Sequence, residues 1–196
     1  MRAMIIGPQG AGKGTQATRI CGELGIPHIS TGDLFRANIA GGTELGKLAQ
    51  SYTDAGKLVP DDVTQAMVAD RLAQPDTDNG FLLDGFPRNL KQAEWLSTLL
   101  AERGTPIERV LLLTAPDEVL MERMLARGRA DDTEEAIQQR LDIYHAETLP
   151  LVEYYGDRVV QIDGVGEVDD VHDRIAAALD GTGPDPQPAT TDAVGG

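Results

Sequence analysis

The chain has 196 residues, 41% of them hydrophobic, which is enough for one well-buried core, and we expect one globular domain. Its 17 Lys and Arg against 32 Asp and Glu give a formal net charge of −15. This balance argues against binding to nucleic acid or to an anionic membrane, because both need a broad basic surface. Any phosphate site must therefore concentrate the few cations locally.

Short apolar runs alternate with helical patterns along the chain. The runs predicted as strands cover 1–6, 26–30, 80–84, 108–114 and 158–163. The helical patterns cover 13–24, a block of short helices over 31–73, then 89–103, 116–127, 133–155 and 167–180. Strands that are apolar on both faces and alternate with helices indicate a parallel sheet covered on two sides. We predict an α/β fold of three layers, α/β/α, around a five-stranded parallel sheet.

Two segments depart from this alternation. The first, 30–73, contains helical patterns and turns without a strand, which predicts a helical lobe inserted over the sheet. The second is the tail 181–196, which has Pro, Gly and Thr but lacks a large apolar residue. Such a composition cannot repay the entropy of ordering, so we expect a disordered tail.

The remaining composition signals are weak. Cys21 is the one cysteine of the chain, and its apolar neighbours predict a small buried hydrophobic side chain. His28, His145 and His172 lie far apart without Cys partners at zinc spacing, so we expect no structural zinc. No secretory or membrane-length segment is visible at the amino terminus, which favours a cytoplasmic location.

The stretch GPQGAGKGTQ at 7–16 satisfies G-x-x-x-x-G-K between a predicted strand and a predicted helix. Glycines let the backbone curl so that its N–H groups point at phosphate oxygens, next to the positive end of the following helix. Lys13 would then reach the outer phosphates. A plain glycine-rich turn between strand and helix is the alternative.

The residue after Lys13 is Gly14, where this phosphate loop normally carries a Ser or Thr for magnesium. Thr15 could supply the hydroxyl instead, or could bond back to its own helix. Asp84 ends the apolar run FLL, as the acidic residue of a Walker B strand does, and could hold Mg²⁺ directly or through water.

The segment GFPRNLKQ follows Asp84 directly. Gly85 allows close approach of the backbone, Pro87 fixes the turn, and Arg88 can direct a planar guanidinium at a phosphate. The alternatives are a surface charge for Arg88 and a solvated helix position for Gln92.

Five motifs, in this order and at this spacing, resemble the nucleoside monophosphate kinases. They are GPQGAGKGTQ, STGDLFR at 30–36, GKLVPD at 56–61, DGFPRNLKQ at 84–92 and ARGRADDTEEAIQQRL at 126–141. The chain most closely resembles adenylate kinases with the short bacterial lid, in which Gly after the lysine is usual. The resemblance covers 1–180 and implies a single P-loop kinase domain, with the core of the NMP-binding lobe at 30–59 and a short lid at 126–132.

The resemblance also implies the site residues. The ATP phosphates would be held by Gly10, Ala11, Gly12, Lys13, Gly14 and Thr15, and Gly166 would contact the ATP base through its backbone. The AMP site would comprise Thr31, Arg36, Lys57, Leu58, Val59, Gly85, Phe86, Pro87, Arg88 and Gln92. Within that set Arg36 and Arg88 would bind the phosphate, and Thr31, the backbone near Val59 and Gln92 would face adenine. Phe86-Pro87 would be a cis peptide.

Four arginines resemble the lid and hinge arginines of this family, namely Arg123, Arg127, Arg129 and Arg140. The resemblance places Arg127 on the ATP side and Arg129 and Arg140 nearer the acceptor phosphate. The alternative is that the first three are solvated charges or partners of Asp131 and Asp132.

The implied reaction is direct in-line transfer from MgATP to AMP, giving two ADP, by a monomer that needs Mg²⁺. No His, Ser or Cys arrangement suggests a covalent phosphoryl acceptor. A UMP/CMP kinase is the nearest alternative, although those relatives usually carry Ala at the position of Thr31. A GTP-dependent switch would need an N-K-x-D segment, which this sequence lacks. A small-metabolite P-loop kinase would normally keep Ser or Thr after the lysine and would not need GFPR.

Overall fold

The computed structural model describes residues 1–54, 59–128 and 132–180. In these ranges five strands form one sheet, namely β1 (Arg2–Ile6), β2 (His28–Ser30), β3 (Phe81–Asp84), β4 (Arg109–Thr114) and β5 (Val159–Asp163). Their order is β2-β3-β1-β4-β5 and every neighbouring pair is parallel. The prediction of a five-stranded parallel sheet is confirmed.

The α-helices in these ranges are α1 (Lys13–Leu24), α2 (Thr31–Ala40), α3 (Glu44–Asp54), α4 (Asp61–Leu72), α5 (Leu90–Glu102), α6 (Asp117–Arg127), α7 (Glu134–Ile143), α8 (Leu151–Tyr155) and α9 (Val168–Leu179). Short 3₁₀ turns cover Pro75–Thr77 and Gly156–Arg158, and a π-helical turn covers Tyr144–Thr148. None of the helices in the described ranges has the length and apolar character needed to cross a bilayer.

The sheet separates two apolar clusters, because successive side chains of a strand point to opposite faces. Ile5 lies in a cluster with Ile20 of α1 and Ile175 of α9. The preceding residue, Met4, lies in the other cluster, with Leu96 of α5. Both faces of the sheet are therefore covered by helices, and the predicted three-layer α/β/α arrangement is confirmed.

Helices α2, α3 and α4 occupy the segment predicted as a helical lobe. A third, smaller cluster holds them together through Ala49, Val63 and Met67, with Phe35 and Val59 packed against it. This cluster is separate from the two that cover the sheet. Helix α4 also reaches the sheet, because its residue Val68 belongs to the same cluster as Met4.

Most predicted helix ends have a visible cause in the structure. The Asn89 side chain accepts the Gln92 backbone N–H over 2.9 Å and starts α5. Gly128 ends α6 in the left-handed conformation, at φ 65°. The single helix predicted over 133–155 is wrong, because α7 ends at Ile143 and a π turn follows. Helix α8 starts only after Pro150, which has no N–H to continue a helix.

Cys21 is buried in the cluster on the α1 side of the sheet, as predicted. Burial, with a smaller contribution from Asp84, raises the pKa of its thiol to about 11. The thiol is therefore protonated at neutral pH and serves as an apolar packing group.

Candidate active site

The phosphate loop connects β1, the middle strand of the sheet, to α1. Gly7 has φ 146°, and a Cβ there would lie 2.3 Å from the Leu113 carbonyl oxygen, so only glycine fits. Gly12 precedes α1 in the left-handed conformation. The first turn of α1 carries no acidic residue, so its free N–H groups and the positive end of the helix dipole are available to an anion.

Lys13 is half-buried at the start of α1, and its Nζ donates to the Pro8 carbonyl over 2.8 Å. Loss of hydration lowers the pKa of Lys13 to about 8, with further lowering by Arg88 and Arg127 and a partly compensating increase from Asp84. A bound polyphosphate would reverse this balance, because negative charge favours the protonated amine.

Asp84 lies at the carboxyl end of β3, beside the first turn of α1. Its side chain is 12% exposed, and its Oδ2 is 3.2 Å from His28 Nε2. A Cβ at Gly14 would lie 3.7 Å from the same Oδ2, in ordinary van der Waals contact, so position 14 of α1 adjoins this carboxylate.

The residues around Asp84 fit a magnesium ion that takes most of its ligands from the bound nucleotide and from water. In the described ranges no group of three or more His, Cys, Asp or Glu could hold a metal ion. Mg²⁺ in nucleotide sites usually takes one or two carboxylates, with phosphate oxygens and water completing its shell. Asp84 supplies such a carboxylate, and Thr15 is exposed on α1 nearby.

A cleft of about 540 Å³ opens beside the phosphate loop, a volume typical of small-molecule sites. Eight of the residues named from the sequence line it, namely Lys13, Thr31, Val59, Gly85, Pro87, Arg88, Gln92 and Arg140. The cleft lies at the carboxyl ends of β1 and β3, where ligands bind in open parallel sheets.

The floor of the cleft is held by hydrogen bonds between neighbouring loops. The Thr31 hydroxyl donates to the Gly85 carbonyl over 3.1 Å, and Thr31 is almost fully buried. The Phe86-Pro87 peptide bond is cis, as the resemblance implied. Phe86 itself points away from the cleft into the core, where its ring meets Trp95 edge to face at 5.9 Å.

Three of the arginines that were assigned to the site from the sequence form ion pairs within the protein. Arg36 is 73% exposed, pairs with Asp33 on its own helix, and does not line the cleft. Arg127 donates to both carboxylate oxygens of Asp132, over 3.0 and 2.9 Å, and Arg140 donates to the same carboxylate over 3.1 Å. The Asp132 side chain is fully buried. Arg127 therefore pairs with Asp132, which is the alternative that the sequence had left open.

Arg123 connects the phosphate loop to the loop that follows β5. The Arg123 guanidinium donates to the Gly164 carbonyl over 3.0 Å and to the Gly10 carbonyl over 3.5 Å. This side chain therefore ties the loop after β5, which carries Gly166, to the phosphate loop. Lys57, Leu58, Arg129 and Asp131 lie outside the described residues, as does the tail 181–196.

A family model described as adenylate kinase matches residues 5–160 of the chain. The chain belongs to the adenylate kinase family. The adenylate kinase of Corynebacterium aurimucosum is 55% identical over 179 residues, which are 91% of this chain and 99% of that protein. The adenylate kinases of Nocardia farcinica and Mycobacterium bovis are 53% and 52% identical over the same shares. The family predicted from the five motifs is confirmed.

The cleft of this adenylate kinase family member also has walls that the sequence analysis did not assign. They include Phe35, Asp61, Thr64, Asn89, Tyr144, Glu147 and Thr148. Asp61 ends the quoted motif GKLVPD and could have been named from it. Thr148 lies in no motif that could have identified it. It ends the π turn, and its hydroxyl donates to the Arg88 carbonyl over 2.8 Å.

Proposed function

We propose that this protein transfers the terminal phosphoryl group of MgATP to AMP, reversibly, giving two ADP, and so maintains the balance of adenine nucleotides. The observation that carries the proposal is one cleft that is lined both by the phosphate-loop residue Lys13 and by Thr31, Arg88 and Gln92. Two phosphate-binding groups facing one space suit a reaction in which both the donor and the acceptor carry phosphate.

In the proposed reaction an oxygen of the AMP phosphate bonds to the terminal phosphorus of ATP, and the bond from that phosphorus to the bridging oxygen breaks. The nucleophile is already an anion, so no general base is required. Lys13 and Arg88 neutralise charge as it moves to the leaving ADP. Magnesium, when bound beside Asp84, supplies further charge neutralisation on the donor phosphates.

The remaining residues keep the roles that the resemblance implied, as proposals. The ATP side comprises residues 10–15, Arg127 and Gly166, and Arg123 supports it from the hinge. The AMP side comprises Thr31, Arg36, residues 57–59, residues 85–88, Gln92, Arg129 and Arg140. Water competes with AMP as acceptor, so the lobe around 30–59 and the lid at 126–132 would close before transfer. The exposed position of Arg36 is consistent with an open lobe.

The surroundings of the reaction follow from the same proposal. ATP, AMP and ADP are its partners, and a cytoplasmic monomer is the form in which we expect it to act. The net charge of −15 gives no support to a role on nucleic acid or at an anionic membrane.

The test is formation of ADP from MgATP with AMP, UMP, CMP, shikimate or water as parallel acceptors. Fast, magnesium-dependent turnover with AMP alone is expected. A preference for UMP or CMP would keep the phosphate chemistry but overturn the base assignment, and slow hydrolysis alone would overturn the kinase.

The matched variant for this test is Lys13→Met. It should lower kcat by about 1,000-fold or more without unfolding the protein, because it removes a cation that acts on the transferred group. Lys47→Met is the control, since Lys47 pairs with Glu44 on the surface of α3. Near-normal turnover by Lys13→Met would contradict the proposed role.

A further inference from the structure

The Gln92 side-chain amide is held at both ends. Its Oε1 accepts the Arg88 backbone N–H over 2.8 Å, and its Nε2 donates to Asp61 Oδ1. A backbone N–H can only donate and a carboxylate can only accept, so these partners determine which end of the amide is oxygen. Gln92 is 5% exposed and lines the cleft, so few other groups can compensate for a rotated amide.

Asp61 fastens this arrangement from a different helix. It is the first residue of α4, whereas Gln92 lies in the first turn of α5. The second carboxylate oxygen of Asp61 accepts from Asn89 Nδ2 over 3.4 Å, and Asn89 Oδ1 caps the Gln92 backbone N–H. One carboxylate therefore receives both side-chain amides at the start of α5.

We propose that Asp61 is a positioning residue that sets the choice of acceptor base by fixing the orientation of the Gln92 amide. The proposal rests on the proposed function, in which Gln92 faces the base of AMP. The carbonyl oxygen of a fixed amide has a second lone pair, and its nitrogen has a second hydrogen. The Gln92 amide therefore presents one acceptor and one donor to the cleft, at fixed positions.

This order distinguishes a 6-amino purine from a 6-oxo purine. Adenine presents a donor at its 6-amino group and an acceptor at N1, whereas hypoxanthine presents an acceptor at O6 and a donor at N1. To pair with hypoxanthine the amide of Gln92 would have to rotate by half a turn. Its oxygen would then face the Asp61 carboxylate and its NH₂ the Arg88 N–H, so two hydrogen bonds would become two repulsive contacts. We expect this restriction to contribute on the order of 10- to 100-fold to selection of AMP over IMP.

The decisive variant is Asp61→Asn. An asparagine amide can accept from the Gln92 nitrogen or donate to the Gln92 oxygen, so at almost unchanged volume position 61 no longer opposes the rotated amide. Of the two contacts that fix the orientation of Gln92, the Arg88 N–H is then left. Asp61→Ala removes the acceptor altogether. The control is Asp62→Asn, which makes the same charge change one residue later on an exposed side chain that accepts only its neighbour's backbone N–H among the described residues.

The experiment measures kcat/KM with AMP and with IMP at saturating MgATP, and the dissociation constants of both nucleotides by calorimetry without ATP. In Asp61→Asn and Asp61→Ala the AMP-to-IMP ratio of kcat/KM should fall by about 3- to 10-fold, because one of the two contacts that fix the Gln92 amide is relaxed, and the change should appear more in KM than in kcat. Asp62→Asn should keep the wild-type ratio.

Two results would overturn the role of Asp61. One is an unchanged ratio in both variants, and the other is a parallel loss for AMP and IMP, which would mark Asp61 as merely structural. The dissociation constants decide the matter even where IMP turns over too slowly to measure. Wild-type activity on AMP tests the proposed function separately, because it does not depend on any Asp61 variant.

Discussion

The lowered pKa of Lys13 predicts that ATP binding takes up a proton from solution. In the unliganded protein this pKa is about 8, because the amine is poorly hydrated and lies near Arg88 and Arg127. Bound phosphates favour the charged amine and would return its pKa toward the usual value of 10.5 or above. Binding should therefore protonate the fraction of Lys13 that was neutral.

The size of the effect follows from the titration curve. With a pKa of about 8, Lys13 is neutral in about one tenth of the molecules at pH 7, half at pH 8 and nine tenths at pH 9. Proton uptake should thus rise from about 0.1 to about 0.9 per ATP, and the affinity should weaken about 10-fold between pH 7 and pH 9. The folding stability of the unliganded protein should change with pH in the opposite direction. The free-energy penalty for burying charged Lys13 is present below pH 8 and is lost as the pH rises to about 10.5, so this contribution to stability increases with pH.

Calorimetry measures this uptake directly. A non-hydrolysable imido analogue of ATP with Mg²⁺ is titrated in two buffers of different ionisation enthalpy, and the slope of the binding enthalpy gives the number of protons. Lys13→Arg is the control, because a guanidinium stays charged over this pH range. Equal uptake by wild type and Lys13→Arg at pH 9 would refute the reasoning.

Two further predictions concern stability, and both are measured by urea denaturation followed through the fluorescence of Trp95. Gly7→Ala should destabilise the protein by about 2–4 kcal/mol, because its Cβ would overlap the Leu113 carbonyl oxygen at a φ that other residues avoid. Gly22→Ala, in the last turn of α1 with nothing within 4 Å of the added carbon, should stabilise it by up to about 1 kcal/mol; equal effects would contradict the loop geometry. Leu111→Ala in the fully buried centre of β4 should cost about 3 kcal/mol. Leu24→Ala, at a side chain 46% exposed, should cost less than about 1 kcal/mol, and a comparable loss there would show that the core is misassigned.

The order of strands and helices was predictable because it depends on local patterns. An apolar run such as ERVLLLT is buried on both faces wherever it lies in a parallel sheet, so its neighbours in sequence carry the information. The helical content of 31–73 was predictable for the same reason. The division of 133–155 into two helices had a local signal too, in Pro150, whereas the π turn before it depends on how that segment packs against the Arg88 loop.

The partners of the polar side chains were far less predictable. The motif GKLVPD identifies Asp61, but its contact with Gln92 joins residues 31 positions apart and exists only once α4 and α5 are packed. The pairing of Arg127 with Asp132 was an alternative from the sequence, but that Arg140 shares the same buried carboxylate was not predicted. A motif therefore assigned residues to the cleft more reliably than it assigned their hydrogen bonds.

The acidic residues of this chain are distributed unevenly among the helix starts, which gives a strongly acidic protein a place to bind polyphosphates. In the described ranges, α2, α3, α4, α6, α7 and α9 all carry an acidic residue in their first turn. Helices α1 and α5 do not, and these are the helices that begin at the phosphate loop and directly after Arg88. Acidic side chains compensate the positive end of a helix dipole, and the effect decays within one turn. The start of α1 thus keeps its positive end for ligand phosphates, whereas at the start of α5 the Asp61 carboxylate of α4 accepts from the Asn89 and Gln92 side chains. Over longer distances the net charge of −15 repels an anionic nucleotide, so affinity must come from these short-range groups, together with Lys13 and the arginines.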